Sequence, residues 1–182
     1  MGARQDHDSV LGWSNTGRQR PSFAIAPASG QESVWDYPRP PRLVVDPREV
    51  VVRLGDVEIA RTRRALRILE TASPPTFYLP LADVPAQFLA PAAGTSWCEW
   101  KGEARYWSVV TPAGRVDRAA WSYPSARAEF AAIRDHVAFY PARLECTVDG
   151  ERVRSQPGGF YGGWITNDVV GPFKGDPGTG GW

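Results

Sequence analysis

The chain has 182 residues, with 21 Lys+Arg against 20 Asp+Glu and a formal net charge of +1. That length fits one domain with extensions, and the near-zero balance excludes a dedicated nucleic-acid or anionic-membrane binder, which carries its charge in the total. Two cysteines, Cys98 and Cys146, and two histidines, His7 and His136, are too few and too scattered for a structural zinc site.

The opening "MGARQDHDSVLGWSNTGRQRP" has no apolar run behind a basic segment, and it lacks the Ser or Thr of a myristoylation signal. No stretch approaches the roughly 18 consecutive apolar residues of a membrane span. The expectation is a cytoplasmic protein with reduced thiols.

Residues 1–31 show no sustained periodicity and are expected to form an N-terminal arm, largely extended or disordered, with Trp13 and Phe23 as docking anchors. The domain proper is expected over 32–156. It opens on "ESVWDYPRPPRL", where Pro38, Pro40 and Pro41 favour an extended path. In "EVVVRLGDVEIAR" two alternating runs flank Gly55-Asp56, the signature of a hairpin. "RRALRILE" (63–70) suits a short helix or a strand equally, "TFYLPL" (76–81) reads as a strand, and "DVPAQFLAP" (83–91) suggests two helical turns capped by Asp83. "ARYWSVV" and "RVDRAAWSYP", joined by "TPAG", form a second hairpin.

After Pro124 the spacing changes. Ala126, Phe130, Ile133, Val137 and Tyr140 recur at steps of four and three, which predicts an amphipathic helix with Ser125 as its cap and Pro141 beyond its end. "LECTVDGERVR" is a third hairpin around Asp149-Gly150, with Cys146 as a packed thiol between Leu144 and Val148. Residues 157–182 hold nine of the 18 glycines and five aromatics, and are expected to form a Gly/aromatic C-terminal tail that drapes its rings over the domain. The fold class is therefore α+β, mainly antiparallel β: a small barrel or sandwich of hairpins with one main amphipathic helix.

The densest chemistry lies in "SWCEWKGEARYWSVV" (96–110), which holds three tryptophans, a cysteine and a lysine. Two readings stand side by side. One is a well-packed aromatic strand. The other is a concave site with apolar walls and a few placed polar groups, in which Lys101 holds an anion and Cys98 is a nucleophile beside it. Lys101-Gly102 reads as a turn or bulge. His136, the one histidine in the domain, is either a boundary residue beside Tyr140 or the partner of Cys98. Arg61, Arg63, Arg64 and Arg67 form either a solvated charged face or a set of forks for phosphate or carboxylate. Neither a Walker loop nor a nucleophile elbow occurs.

Four ordered stretches, "SVWDYPRPP" (33–41), "RALRILETASPPTFYLP" (64–80), "SWCEWKGEARYWSV" (96–109) and "AAWSYPSARAEFAAIRDHVAFY" (119–140), resemble the family known as domain of unknown function 427, in an actinobacterial-type form. That family is also carried under a nucleotidyltransferase label. The resemblance covers about residues 32–150 and implies a compact, mainly β domain with one helix and no established activity. It places signature residues at Trp35, Tyr37, Arg67, Glu70, Cys98, Trp100, Lys101, Gly102, Trp107, Trp121, Tyr123, His136 and Tyr140. Many relatives carry a proline where this chain has Glu99, and a histidine where it has Ser73. Nucleotidyl transfer needs clustered carboxylates for Mg²⁺, and Glu70, Glu99 and Glu103 do not announce such a cluster.

The expected function is the binding of a small ligand, an anion among the candidates, in an aromatic-walled pocket. Trp100, Trp107, Trp121 and Tyr123 would line it, Arg67 and Lys101 would anchor an anion, and Glu70 and His136 would orient or exchange protons. One alternative is an enzyme on the same pocket, through Cys98, Glu70 and His136. A second is an interaction module built on the tail. No cofactor is expected, save Mg²⁺ under the transferase alternative; no metal site, nucleic acid or membrane partner is expected, and a homodimer is left open.

Overall fold

A computed structural model of the chain describes residue 13 and residues 15–182. The rest of the predicted arm, with His7, lies outside the described residues. Fifteen strands follow in chain order. They are β1 (Glu32–Ser33), β2 (Arg42–Asp46), β3 (Val50–Leu54), β4 (Val57–Thr62) and β5 (Ala65–Glu70). Next come β6 (Ser73–Pro80), β7 (Leu89–Cys98), β8 (Gly102–Thr111), β9 (Gly114–Ser122) and β10 (His136–Phe139). The last are β11 (Glu145–Val148), β12 (Glu151–Arg152), β13 (Arg154–Ser155), β14 (Trp164–Ile165) and β15 (Val169–Val170).

The three hairpins form where the turn chemistry places them. β3 and β4 meet at Leu54–Val57 across Gly55-Asp56, β8 and β9 close at Thr111–Gly114, and β11 and β12 close at Val148–Glu151. In the last, both Asp149 (φ 46°) and Gly150 (φ 80°) are left-handed, as a type I′ turn requires. "RALRILE" resolves to a strand: β5 pairs with β2 on one side and β6 on the other.

Two larger antiparallel sheets result, a seven-stranded one in the order β2-β5-β6-β10-β9-β8-β7 and a four-stranded one in the order β12-β11-β3-β4, beside the two-stranded pairs β1-β15 and β13-β14. Among the described residues neither closes into a barrel. They share one core, in which Val50 and Val52 of β3, Ile59 of β4 and Cys146 of β11 meet Phe77 and Leu79 of β6 and Phe139 of β10. The other face of the large sheet carries a second cluster with Tyr78, Tyr106, Trp121 and Ala138. Period-two alternation divides each strand between these clusters.

The predicted helix after Pro124 is not an α-helix. A 3-10 stretch covers only Ala128–Ile133, is broken at Phe130 (φ −115°, ψ 18°), and the chain then enters β10. β10 lies between β6 and β9 in the middle of the sheet. Val137 and Phe139 serve the shared core and Ala138 the opposite cluster, so the strand is apolar on both faces. Added to the inward Phe130 and Ile133 of the 3-10 stretch, it imitates helical spacing. In "DVPAQFLAP" the helical residues are Asp83, which ends a 3-10 turn at Leu81–Asp83, and a second 3-10 turn, Ala86–Phe88, after which β7 begins. Asp83 caps nothing there and instead accepts hydrogen bonds from Thr62 Oγ1 (2.6 Å) and Arg64 (2.5 Å).

The Gly/aromatic segment does more than drape. Trp164 is fully buried in the shared core, stacked on Phe77 at 4.9 Å between centroids, and its indole N–H donates to the Phe139 carbonyl. Gly162 lies so close to Trp121 that an added Cβ would overlap the indole. From the N-terminal side, Phe23 packs edge-on to Trp35 and stacks with Trp182.

Trp164→Ala should therefore cost about 3–5 kcal/mol in urea or thermal unfolding, while removal of the exposed Trp97 ring should cost under about 1 kcal/mol. Equal effects would contradict the core role of Trp164. Gly162→Ala should cost about 1–3 kcal/mol through overpacking and shift tryptophan emission, since the indole or the tail must move.

Candidate functional site

Cys98 pairs with Gly102 at the end of the β7–β8 hairpin, so residues 99–101 form the connecting turn. Gly102 takes φ 97°, in the left-handed region where a side chain would be strained. The Lys101 carbonyl accepts from the Arg127 N–H at 3.2 Å. This tight reversal sends the Lys101 side chain inward while Trp97, 68% exposed, stays outside with the Arg127 guanidinium 5.7 Å from its ring.

Lys101 opens into a cavity of about 340 Å³ on the second face of the large sheet. Tyr78 of β6, Trp121 of β9 and Tyr123 just beyond it form its buried floor, and Trp100, Tyr106 and Tyr140 stand around them. Trp121 and Tyr140 lie 4.4 Å apart between ring centroids. The exposed rings of Trp97 and Phe160 mark the mouth. Glu70, Glu99 and Lys174 are the other charged lining groups. Trp13 also lines the cavity, held between the Arg39 guanidinium at 4.1 Å and the Lys174 ammonium at 4.5 Å.

The Lys101 ammonium is almost wholly buried, 5.5 Å from the centroid of Tyr123, with no carboxylate within ion-pair distance among the described residues. Burial by itself would lower its pKa. Tyr78, Cys98 and Glu70, all groups that become negative on losing a proton, and a hydrogen bond to Cys98 outweigh that and raise the lysine pKa. Burial raises the phenols of Tyr78 and Tyr123, which remain hydrogen-bond donors at neutral pH. The Trp100 indole N–H is shielded from solvent and has no acceptor among the described residues.

Of the residues singled out from sequence, Glu70, Cys98, Trp100, Lys101, Trp121 and Tyr123 share this cavity. Three stand elsewhere. Trp107 follows Tyr106 in β8, so alternation turns it toward the shared core, and its indole N–H donates to Ser122 Oγ at 2.9 Å. Arg67 points the other way from Ile68 and binds Asp46 at 3.0 Å and Glu32 at 3.1 Å. It ties β5 to β2 and β1. Burial pushes the Asp46 carboxyl up, but the Arg48 hydrogen bonds and the Arg48 and Arg67 charges hold it below its usual value. His136 pairs with Pro80 near Asp83 and Arg64, away from Cys98. Burial lowers its pKa and Arg64 adds to this, against Asp135 and Asp83. Arg61, Arg63 and Arg64 form surface ion pairs with Glu49, Glu58 and Asp83. Cys146 is buried, and burial pushes its thiol up.

Sequence reasoning missed Tyr78, Tyr106, Tyr161 and Lys174 as lining residues. Tyr78 was legible as the inward alternate of "TFYLPL", once that segment is a central strand. Nothing local marks Tyr161 or Lys174, which reach the cavity only through the packing of the glycine-rich segment.

Among the described residues no group of three or more His, Cys, Asp or Glu is placed to hold a metal ion. Glu70 and Glu99 line the cavity, whereas Glu103 is exposed outside it. These carboxylates do not fit a Mg²⁺ centre. No helix among the described residues is long and apolar enough to cross a membrane.

No curated protein matches the chain. Residues 42–150 match the family described as Domain of unknown function (DUF427), a span that holds Tyr78, Cys98, Lys101, Trp121 and Tyr123 together. With more than half its length so matched, and with the aromatic cluster in the matched part, the chain belongs to the DUF427 family.

Proposed function

We propose that the protein binds a small ligand in this aromatic-walled cavity, with Lys101 as the anchor for a negative group. One observation carries the proposal: the nearly buried Lys101 ammonium lines a cavity and has no carboxylate within ion-pair distance among the described residues. A buried charge normally has a counter-ion, because desolvation is otherwise costly. A partly filled shell is supplied by Tyr123 and the nearby acidic groups, and a ligand anion would complete it. The cavity, about 340 Å³, is at the small end for ligand sites. Small molecules are the partners it suits.

An enzyme on the same pocket is the second reading, and its supporting observation is that the Cys98 thiol shares the cavity with Lys101. A thiol in such a cavity is a candidate nucleophile for an electrophile bound beside it. The interaction-module alternative draws no comparable support, since the C-terminal segment is engaged with the body of the protein through Trp164 and Gly162.

A thermal-shift screen of small anions, sugar phosphates, nucleotides and amino acids tests the binding proposal. A ligand at about 100 times its Kd adds roughly 2.7 kcal/mol, about 5–11 °C for a chain of this size. Lys101→Met should abolish the shift yet leave the ligand-free melting temperature equal or higher, because it removes a buried charge without removing its stem. A retained shift would overturn the assignment. Because Lys101 keeps its proton above the usual lysine range, anion affinity should stay flat from about pH 6 to 9. For the thiol reading, Cys98 should react with iodoacetamide faster than free cysteine at neutral pH, as read by mass spectrometry; an equal or slower rate removes it.

A further inference from the structure

Several polar groups that line the cavity are donors. Lys101 offers an ammonium, and Tyr123 beside it offers a hydroxyl. Tyr78 and Cys98 add a phenol and a thiol within electrostatic reach of the same ammonium. An array of this kind is complementary to oxygen atoms bearing negative charge.

Charge balance narrows the class. The charged residues lining the cavity are Lys101 and Lys174 against Glu70 and Glu99. Lys174 is engaged with the Trp182 carbonyl at 3.2 Å and lies over Trp13. Glu70 is paired with Arg39 at 3.4 Å, which leaves Lys101 as the cation that faces the cavity and room for one negative charge beside it. A dianionic phosphate would bring a second charge toward two carboxylates, and the described lining includes no arginine to fork onto it. Most of the large apolar side chains in the remaining lining are aromatic. Trp100 and Trp121 flank the floor, and their quadrupoles favour an offset or edge-on arene over a compact aliphatic body.

We infer that the ligand is a small monocarboxylate carried on a flat aromatic ring, its carboxylate accepting from Lys101, Tyr123 and Tyr78 and its ring lying against the Trp100 and Trp121 indoles. The inference rests on the ligand-binding function proposed above and specifies its chemistry. The two phenols contribute because burial keeps them protonated through the neutral range.

The test is calorimetric titration of the full chain with four probes: 2-naphthoate, 2-naphthamide, 2-naphthyl phosphate and cyclohexanecarboxylate. Naphthoate is expected to bind most tightly. The amide, which matches its shape without its charge, should bind at least about tenfold more weakly, as loss of a charged hydrogen-bond partner implies. The phosphate and the cyclohexane acid should also be weaker. Tyr123→Phe should lower naphthoate affinity several-fold and leave the amide unchanged. Equal binding of amide and acid, tighter binding of the phosphate, or equal binding of the cyclohexane acid would each overturn the monocarboxylate class while leaving the pocket's binding role intact. If naphthoate binding is indifferent to Tyr123→Phe, the carboxylate seat assigned here is wrong. If none of the four binds and the broader thermal-shift screen is also silent, both the ligand class and the binding function fall together.

Discussion

Strand parity in the seven-stranded sheet is the constraint from which the rest follows. Each central strand must serve two interiors, so consecutive residues are committed to opposite sides. Phe77 and Tyr78, Tyr106 and Trp107, and Ala120 and Trp121 are divided in this way. The register carries the division across the sheet, aligning Tyr106 with Trp121 and Trp121 with Ala138. A slip of one residue would exchange the two faces, placing phenols and indoles in the shared core and aliphatic residues at the cavity. The small Ala138 matters here, because its neighbours Val137 and Phe139 fill the core while its own face leaves room for the large rings of β8 and β9.

On that scaffold the site holds a charge that the fold does not need for its own stability. A buried ammonium beside aromatic rings costs desolvation free energy, and replacement by an apolar isostere is often neutral or stabilising. The opposite economy holds at Arg67. There the guanidinium is bound to Asp46 and Glu32, with Arg48 and Asp168 extending the network, and the whole assembly fastens the edge strands β1 and β2. Two basic residues of one chain, both mostly buried, thus have different physical roles. Two fixed carboxylates mark Arg67 as structural, whereas Lys101 has no carboxylate within ion-pair distance among the described residues.

The same contrast explains what was legible in the sequence. Turn chemistry is local, and Gly55-Asp56 and Asp149-Gly150 fix their hairpins without help from distant residues. The aromatic stretch around Lys101 also announced itself, because the hairpin end brings Cys98, Trp100 and Lys101 together by short-range geometry. Where the environment is set by distant strands, the pattern misled. The spacing from Ala126 to Tyr140 imitates a helix because β10 is apolar on both sides, a property that comes from its neighbours β6 and β9. Trp107 was grouped with the pocket by composition, whereas the parity of β8 turns it away. Arg67 looked like an anion anchor until its carboxylates, 21 and 35 positions earlier, were brought against it. The glycine-rich segment gave no sign that Trp164 belongs to the core, since Gly162 and Gly163, just before it, are there for close contact with Trp121 and with Gln156 and Pro74 and not for flexibility.

The cavity is also built from two sources. Tyr78, Lys101, Trp121 and Tyr123 lie within the family span of 42–150, while Trp13, Phe160, Tyr161 and Lys174 come from either side of it. The chemistry at the bottom is thus tied to the register of a sheet that tolerates few changes. The exposed rim, with Phe160 and Tyr161, belongs to the flanking C-terminal segment. Changes at those two exposed rings would alter the rim without touching the register of the sheet, so the floor and the opening of the cavity are set by different parts of the chain.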